Sequence, residues 1–261
     1  MARKGPHTLT CVDVSDCGNI LIVDSHSMFV HVFSNMGKDL SHRFRIFGVC
    51  FWKEQTLVLA THHGLKICQL DGSTETEMLI GPVVCTKRYK LNFVAVQRQH
   101  LTVYGGLSSR ITAGATITKV NSRSFLRRGN RFVEIADVAV VNNIFVILDI
   151  GKNVIYRTDE KGTKLSKVVP YRHLHDDIRV APGVATDADS NVIVCSRSNK
   201  QLLKFQANGR FVCCLLNFSV RVGGIEIDGM PVIHGITINN LGQLFVTLSG
   251  DGLAEVRVYQ F

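Results

Sequence analysis

The sequence repeats one pattern six times, and this repetition restricts the fold more than any other feature. In each copy a turn residue stands directly before an apolar run, and these residues are Asn19, Gln55, His100, Asn143, Asn191 and Gln243. Their intervals are 36, 45, 43, 48 and 52 residues, and a four-stranded blade of a β-propeller takes about 40–50. The pattern therefore predicts an all-β fold, a six-bladed β-propeller built of four-stranded antiparallel blades.

Each copy contains the residue types of a blade in the expected order. The first copy, CVDVSDCGNILIVDSHSMFVHVF at 11–33, has strand a, a tight turn, strand b, a polar loop and strand c, and a Gly turn to strand d follows. In the third copy we expect NFVAVQ to be strand a, and in the last copy the sequence ends on strand c. The prediction is a single domain over 1–261, with blades at approximately 7–46, 47–82, 83–131, 132–180, 181–230 and 231–261.

The composition favours an intracellular protein with a polyanionic partner. Lys and Arg outnumber Asp and Glu by 30 to 21, which gives a net charge of +9, and such a balance attracts nucleic acid, anionic lipid or acidic proteins. The longest apolar runs have four or five residues, far below the ~18 of a membrane span, so we predict no membrane partner. The eight cysteines form no C-x-x-C pair and most lie within apolar runs, a pattern that is typical of buried, reduced thiols in a cytoplasmic protein.

Two motifs carry a resemblance to a known repeat. The segments GNILIVDS at 18–25 and VHVFSNMGK at 30–38 resemble the NHL repeat, and the resemblance covers essentially the whole chain. It is clearest in the first, fourth and fifth copies, and the chain is most similar to the C-terminal domain of TRIM-NHL proteins. That resemblance implies a scaffold for single-stranded RNA or protein partners in post-transcriptional control of mRNA, by translation repression or decay. It also implies a parent protein that can carry a RING-type ubiquitin ligase upstream.

The chain departs from the TRIM-NHL family in the loop between strands b and c of the first blade. Family members often have N-x-R or N-H-R in this loop, whereas this chain has His26, Ser27, Met28 and Phe29. The family's base contacts are therefore not transferred to this chain as a set.

Strand parity assigns the loops to two faces. In an antiparallel four-stranded blade, the b–c and d–a connections lie at one end, here called the b–c face, and the a–b and c–d turns lie at the other, the a–b face. The basic residues assigned to the b–c face are Arg43, Arg45, Lys87, Arg88, Lys90, Arg110, Arg127, Arg128, Arg131, Lys152, Arg172, Arg179, Arg197, Lys200 and Arg221. Its acids are mainly Asp176, Asp177 and Asp251, so we expect this face to be basic. The a–b face is assigned most other acids, mixed with Lys38, Lys53, Arg98, Lys161 and Arg210.

Aromatic, imidazole and amide side chains accompany these charges on the predicted b–c face. Cations attract phosphates, and aromatic rings stack splayed bases at about 1–3 kcal/mol each. The candidate RNA-binding residues are His26, Arg45, Phe47, His62, His63, Arg88, Tyr89, Arg110, Arg131, Phe132, Lys152, Asn153, Arg172, Arg179, Arg197, Asn199 and Lys200. We predict single-stranded RNA as the partner, along with protein effectors of mRNA silencing. No DNA and no cofactor are expected.

Several alternatives stay open. The same face suits an acidic protein partner, such as a ubiquitin-ligase substrate or effector. Phe47 and Phe132 fit inter-blade core as well as stacking platforms, and Lys152-Asn153 fits a solvated hairpin tip. The stretch RHLHDD at 172–177 offers two histidines and two carboxylates, but two histidines alone do not complete a zinc site. Only Asn92, Asp137 and His234 are polar among the predicted starts of strand a, and no nucleophile motif is present, so we predict no catalysis.

Overall fold

The computed structural model describes residues 8–34, 42–43, 46–53, 55–105, 112–117, 132–159, 163–168, 183–196, 200–218, 221–222, 225–226, 231–250 and 252–260. All regular structure in these ranges is β-strand, arranged in antiparallel sheets. The prediction of an all-β propeller is thereby confirmed. No described segment forms a helix long and apolar enough to cross a membrane.

Six sheets follow one another along the chain, each built by neighbouring strands in sequence order. The first is β1 (Leu9–Val14), β2 (Ile20–Asp24), β3 (Phe29–Phe33) and β4 (His42–Arg43). The second is β5 (Gly48–Lys53), β6 (Thr56–Ala60), β7 (Gly64–Gln69) and β8 (Thr74–Leu79). The third is β9 (Cys85–Tyr89), β10 (Asn92–Gln97), β11 (His100–Gly105) and β12 (Thr112–Ile117).

The second half of the chain continues this order. The fourth sheet is β13 (Ile135–Val141), β14 (Ile144–Asp149), β15 (Val154–Thr158) and β16 (Lys164–Val168). The fifth is β17 (Val184–Thr186), β18 (Val192–Ser196), β19 (Gln201–Phe205) and β20 (Phe211–Asn217), followed by a short hairpin of β21 (Arg221–Val222) and β22 (Ile225–Glu226). The sixth sheet, as described, has three strands, β23 (Val232–Ile238), β24 (Gln243–Gly250) and β25 (Leu253–Gln260).

The first strands of the six sheets form a closed ring around a central channel. β1, β5, β9, β13, β17 and β23 contact each other in this order, and β23 contacts β1. Gly235 shows how close the closing contact is, because a Cβ placed there would lie 3.0 Å from the Thr10 carbonyl oxygen and 3.2 Å from Cys11 Cα. Closure of this kind leaves few exposed strand edges. The single-domain division and its blade limits remain predictions.

The hydrophobic core lies between blades rather than within a single layer. Five buried clusters each join two successive sheets, from the first and second to the fifth and sixth. Middle strands such as β6 are buried along their whole length, because neighbouring blades cover both of their faces. This explains why the sequence shows apolar runs there rather than an alternating pattern.

The predicted order of strands in the third blade is wrong by one position. The first strand of that blade is β9, with the sequence CTKRY, and NFVAVQ forms the second strand, β10, which pairs with β9 through Val94 and Lys87. The all-apolar run belongs to the second strand because that strand is covered on both faces. A first strand lines the channel with one of its faces and accepts polar residues there.

Buried carboxylates fix two of the connections that form the b–c face. Asp149, fully buried at the end of β14, accepts the Val133 and Glu134 amides at 3.2 and 3.1 Å. Asp24 occupies the same position at the end of β2 and accepts the Thr8 amide at 3.1 Å. The Asp of the recurring motif therefore attaches the d–a connection to strand b.

Candidate binding face and central channel

The channel opens on the b–c face as a funnel of about 650 Å³. Its walls come from the first strands of several blades, and most of the lining is apolar. Polar groups lie at the rim and at the floor, where Lys87 and Asp137 face the space. The aromatic and polar residues that line it include Phe47, His62, Arg98, Glu134, Asp137 and Lys87.

An aromatic cluster stands at one side of the funnel mouth. Phe47 lies in the connection before β5 and is 49% exposed. Its ring meets the His62 ring edge-on at a centroid distance of 6.2 Å, and His62 meets His63 at 5.7 Å. Both histidines lie in the exposed loop between β6 and β7. The structure therefore brings three candidates together, and it places Phe47 at the surface rather than in the inter-blade core.

An ion pair occupies another part of the rim. The guanidinium of Arg98, in the loop between β10 and β11, lies 3.9 Å from the Glu134 carboxylate. The sequence assigned Arg98 to the opposite face, and this assignment is wrong because it followed the shifted strand order of the third blade. Glu134 was not assigned to either face, and it adds an acid to the b–c face beside the cavity.

A group of lysines lies on the fourth blade. Lys152 is half-buried in the loop between β14 and β15, and Lys164 and Lys167 are exposed on β16. Burial lowers the pKa of Lys152, the Asp149 carboxylate opposes this, and the charges of Lys167 and Lys164 lower the pKa further. The charges of Lys164 and Lys167 therefore both act on Lys152, and the three side chains concentrate positive charge on the fourth blade.

Three further candidates, His26, Asn153 and Lys200, lie in the b–c loops of the first, fourth and fifth blades. His26 is exposed in the loop between β2 and β3, and its amide donates to the Asp24 carboxylate at 3.1 Å. Asn153 adopts φ 54°, and its Oδ1 is buried without a hydrogen-bond partner among the described residues. Lys200, at φ 52°, accepts the Phe218 amide at its carbonyl. The Asn153 amide is therefore not displayed for reading base edges.

The predicted placement of Arg88 and Tyr89 on the b–c face is wrong. Both lie at the far end of β9, next to its a–b turn, and the Arg88 guanidinium contacts the Asp16 carboxylate at 2.6 Å on the a–b face. Tyr89 is 6% exposed, and its ring lies 5.0 Å from the Phe145 ring in the core between the third and fourth blades. Lys87 and Lys90 belong to the same stretch, so their predicted placement on the b–c surface is wrong as well.

Phe132 is also a core residue rather than a stacking platform. It is 8% exposed and meets Tyr156 edge-on at 5.5 Å. This is the alternative that the sequence left open for it. The remaining candidates lie outside the described residues, as do both histidines of RHLHDD. These candidates are Arg45, Arg110, Arg131, Arg172, Arg179, Arg197 and Asn199.

A belt of charged side chains crosses the channel between its two mouths. Asp13 accepts the Phe51 amide at 2.9 Å, and Asp137 accepts the Val184 amide at 3.0 Å, so each carboxylate joins its own first strand to the next. Burial raises the pKa of Asp13, and the Lys87 charge opposes that rise. Burial acts to lower the pKa of Lys87, but the carboxylates of Asp137 and Asp13 outweigh it, so the pKa is raised. Lys87 therefore stays protonated.

The sequence identified only part of this belt. Asp137 was noted as a polar residue on a first strand, whereas Asp13 and Lys87 were not connected with the channel. An alternating polar residue in CVDV and CTKRY is the signal that could have found them. Among the described residues, no group of three or more His, Cys, Asp or Glu side chains could hold a metal ion.

The channel opens on the a–b face as a second, smaller cavity of about 390 Å³. Its lining is mostly polar and includes the a–b turns of the first, third and sixth blades. Cations, carboxylates, hydroxyls and amides all face it. They belong to Asp13, Asp16, Lys87, Arg88, Lys90, Thr186, Thr237, Asn239 and Asn240.

No family model and no curated protein matches the chain. Solved structures share its fold at low identity. The WD40 β-propeller domain of Doa1 is 13% identical at a TM-score of 0.62, with 98% of this chain and 80% of that chain covered. Virginiamycin B lyase from Staphylococcus aureus is 10% identical at 0.62, with 97% and 84% covered. A luciferin-regenerating enzyme is 12% identical at 0.63, with 99% and 94% covered.

At these identities the similarity shows the β-propeller fold alone. The similar structures include proteins named as enzymes as well as a WD40 domain, so the fold does not decide between catalysis and binding. The NHL resemblance, the TRIM-NHL assignment and the cytoplasmic location remain predictions.

Proposed function

We propose that the chain is a non-catalytic recognition module that binds single-stranded RNA on its b–c face. The observation that carries this proposal is the half-exposed Phe47 ring at the mouth of the funnel, beside His62 and with Arg98 on the same rim. One base enters the apolar funnel and stacks on Phe47, and the flanking phosphates lie near the Arg98 guanidinium at the rim. Aromatic stacking of splayed bases is the usual mode of single-strand recognition.

Charge supports this proposal beyond the funnel. The chain carries a net charge of +9, and Lys152, Lys164 and Lys167 concentrate positive charge on the fourth blade. A strand that leaves the funnel toward this blade releases counterions from its phosphates. In this function the module holds an mRNA beside silencing effectors in the cytoplasm, as the TRIM-NHL resemblance implies, or beside a ubiquitin ligase carried by the same protein.

Titration of labelled random single-stranded RNA at two salt concentrations tests the proposal. Phe47→Ala should weaken binding by about 5- to 150-fold, which corresponds to the ~1–3 kcal/mol of one stacked base. Leu91→Ala is the matched control, because Leu91 is 78% exposed on the a–b face, and it should change nothing. No detectable RNA binding at low salt refutes the proposal, and so does equal weakening by both variants.

A charge reversal provides a second matched pair of variants. Arg98→Glu changes the charge at the funnel rim, and Arg210→Glu makes the same change in the exposed c–d turn of the fifth blade. Localised binding predicts a large loss for Arg98→Glu only. If both variants weaken binding equally, the chain attracts RNA as a general polycation and has no site on the b–c face.

A second candidate function is recognition of a protein partner on the same face. It is favoured by exposed apolar side chains at this end of the blades, since Met28, Phe47, Leu79 and Val133 are 37, 49, 79 and 43% exposed. Apolar anchors of this kind dominate protein interfaces. Selection from a peptide library separates the two functions. A protein site yields peptides whose binding is insensitive to salt and is lost in both Phe47→Ala and Met28→Ala.

A further inference from the structure

Three cations from one short stretch of the third blade line the cavity on the a–b face. Lys87 and Arg88 lie on β9, and Lys90 follows in the turn to β10. Two carboxylates, from Asp13 and Asp16, line the same space. The cavity therefore carries an excess of one positive charge, and this excess lies on the face opposite the proposed RNA surface.

The Lys87 ammonium has hydrogen-bonding capacity that the protein does not use. Among the described residues, no hydrogen bond or ion pair reaches it, although Asp13 and Asp137 act on its charge from farther away. Both carboxylates already accept backbone amides, Asp13 from Phe51 and Asp137 from Val138 and Val184. An ammonium has three donors and no acceptor. Its donors therefore face the channel, where an anion can accept them.

The rim of the cavity holds further groups that recognise an oxygen-rich anion. Arg88 is positioned by its contact with Asp16 at 2.6 Å, and its side chain is still 38% exposed. The Lys90 ammonium lies 5.1 Å from the centre of the Tyr89 ring, which orients the start of the turn. On the opposite wall, Thr186 and Thr237 supply hydroxyls and Asn240 supplies an exposed amide.

We propose that this cavity is a binding site for a small phosphate monoester that also carries hydroxyl groups. The phosphate is held by Lys87, Arg88 and Lys90, and the hydroxyls contact Thr186, Thr237 and Asn240. A phosphate monoester carries three strong acceptor oxygens and a charge of about −1.5 to −2 at pH 7, so it offers the three cationic side chains more acceptors than the two oxygens of a carboxylate. The volume of about 390 Å³ lies at the lower end of the range for small-molecule sites.

Calorimetric titration of the intact chain with ribose 5-phosphate tests this site, with ribose and inorganic phosphate as reference compounds. We expect binding of ribose 5-phosphate, no binding of ribose, and weaker binding of inorganic phosphate. Lys87→Met should weaken binding at least about tenfold, which is 1.4 kcal/mol. Lys167→Met, on the outer strand of the fourth blade, removes the same charge elsewhere and should leave the affinity unchanged.

Lys87→Met also removes the cation between two carboxylates and can unfold the chain, so a second variant is needed. Lys90 is exposed in a turn, and Lys90→Gln should weaken binding several-fold without lowering the urea midpoint. The proposal is overturned if ribose 5-phosphate does not bind at concentrations up to about 10 mM. It is also overturned if Lys90→Gln binds like the unaltered chain, or if inorganic phosphate binds equally well. RNA binding at the b–c face is measured separately and does not depend on these results.

Discussion

Replacement of Asp149 by alanine should lower the free energy of unfolding by about 2–6 kcal/mol. The Asp149 carboxylate is fully buried and accepts the Val133 amide at 3.2 Å and the Glu134 amide at 3.1 Å. Alanine leaves both amides without this acceptor. A hydrogen bond to a charged group contributes about 1.5–3 kcal/mol, and somewhat less where water reaches a part-buried amide such as these two. For a chain of this size, the melting temperature should fall by about 4 °C or more. The same two amides hold Val133 and Glu134 at the funnel rim.

Urea unfolding followed by Trp fluorescence measures this change, because Trp52 is the only tryptophan and is buried. Asp149→Asn should lower the free energy of unfolding less than Asp149→Ala does, since the side-chain amide oxygen of asparagine still accepts a hydrogen bond. Asp189→Ala is the control, because Asp189 is exposed in the a–b turn of the fifth blade and should change stability by less than about 0.5 kcal/mol. Equal urea midpoints for Asp149→Ala and Asp189→Ala would show that the carboxylate does not hold the connection.

Two further predictions concern the core and the acid limb of stability. Phe132→Ala should cost about 3–5 kcal/mol in urea unfolding, whereas Phe47→Ala should cost much less because half of its ring is exposed; similar losses would contradict the different burial of the two rings. Burial acts to raise the pKa of Asp187, but the Lys204 ammonium at 2.9 Å and the Asn191 donors outweigh it, so the pKa is lowered. The ionised Asp187 carboxylate stabilises the folded protein fully above its pKa in the unfolded chain, which is about 4. This stabilisation is lost as the pH falls through the lowered pKa of the folded protein. Asp187→Asn should therefore flatten the fall of the unfolding free energy below about pH 4, and an unchanged acid limb would refute this assignment.

The sequence by itself determined the architecture where each copy of the repeat is complete. GNILIVDS and NNIFVILD each contain a turn, an apolar run and a terminal Asp in the same order. The apolar runs form strands β2 and β14, as this pattern predicts. The Asn142-Asn143 turn adopts φ 45° and 64° at its two central residues, as a tight hairpin turn requires. These features depend on residues within about ten positions of one another, so local patterns suffice to find them.

The tertiary structure alone decided which strand of the third blade lines the channel. CTKRY and NFVAVQ can each begin a blade by their local pattern. The choice depends on which of them contacts β5 and β13, and that is fixed only when the ring closes. When the strand order of a blade is shifted by one strand, the loops predicted at one end of the blade lie at the other end. Arg88 and Tyr89 therefore lie at the a–b end, and Arg98 lies at the b–c end.

Burial of individual side chains was likewise decided by neighbours that are distant in the chain. Phe47 and Phe132 both stand directly before or near a first strand, yet one is half-exposed and the other is packed on Tyr156. Lys87 faces Asp13 of the first blade and Asp137 of the fourth. No local period contains such information, because each of these contacts joins residues from different blades. The repeat thus determined that a propeller forms, and only the closed ring determined which side chains share its two mouths.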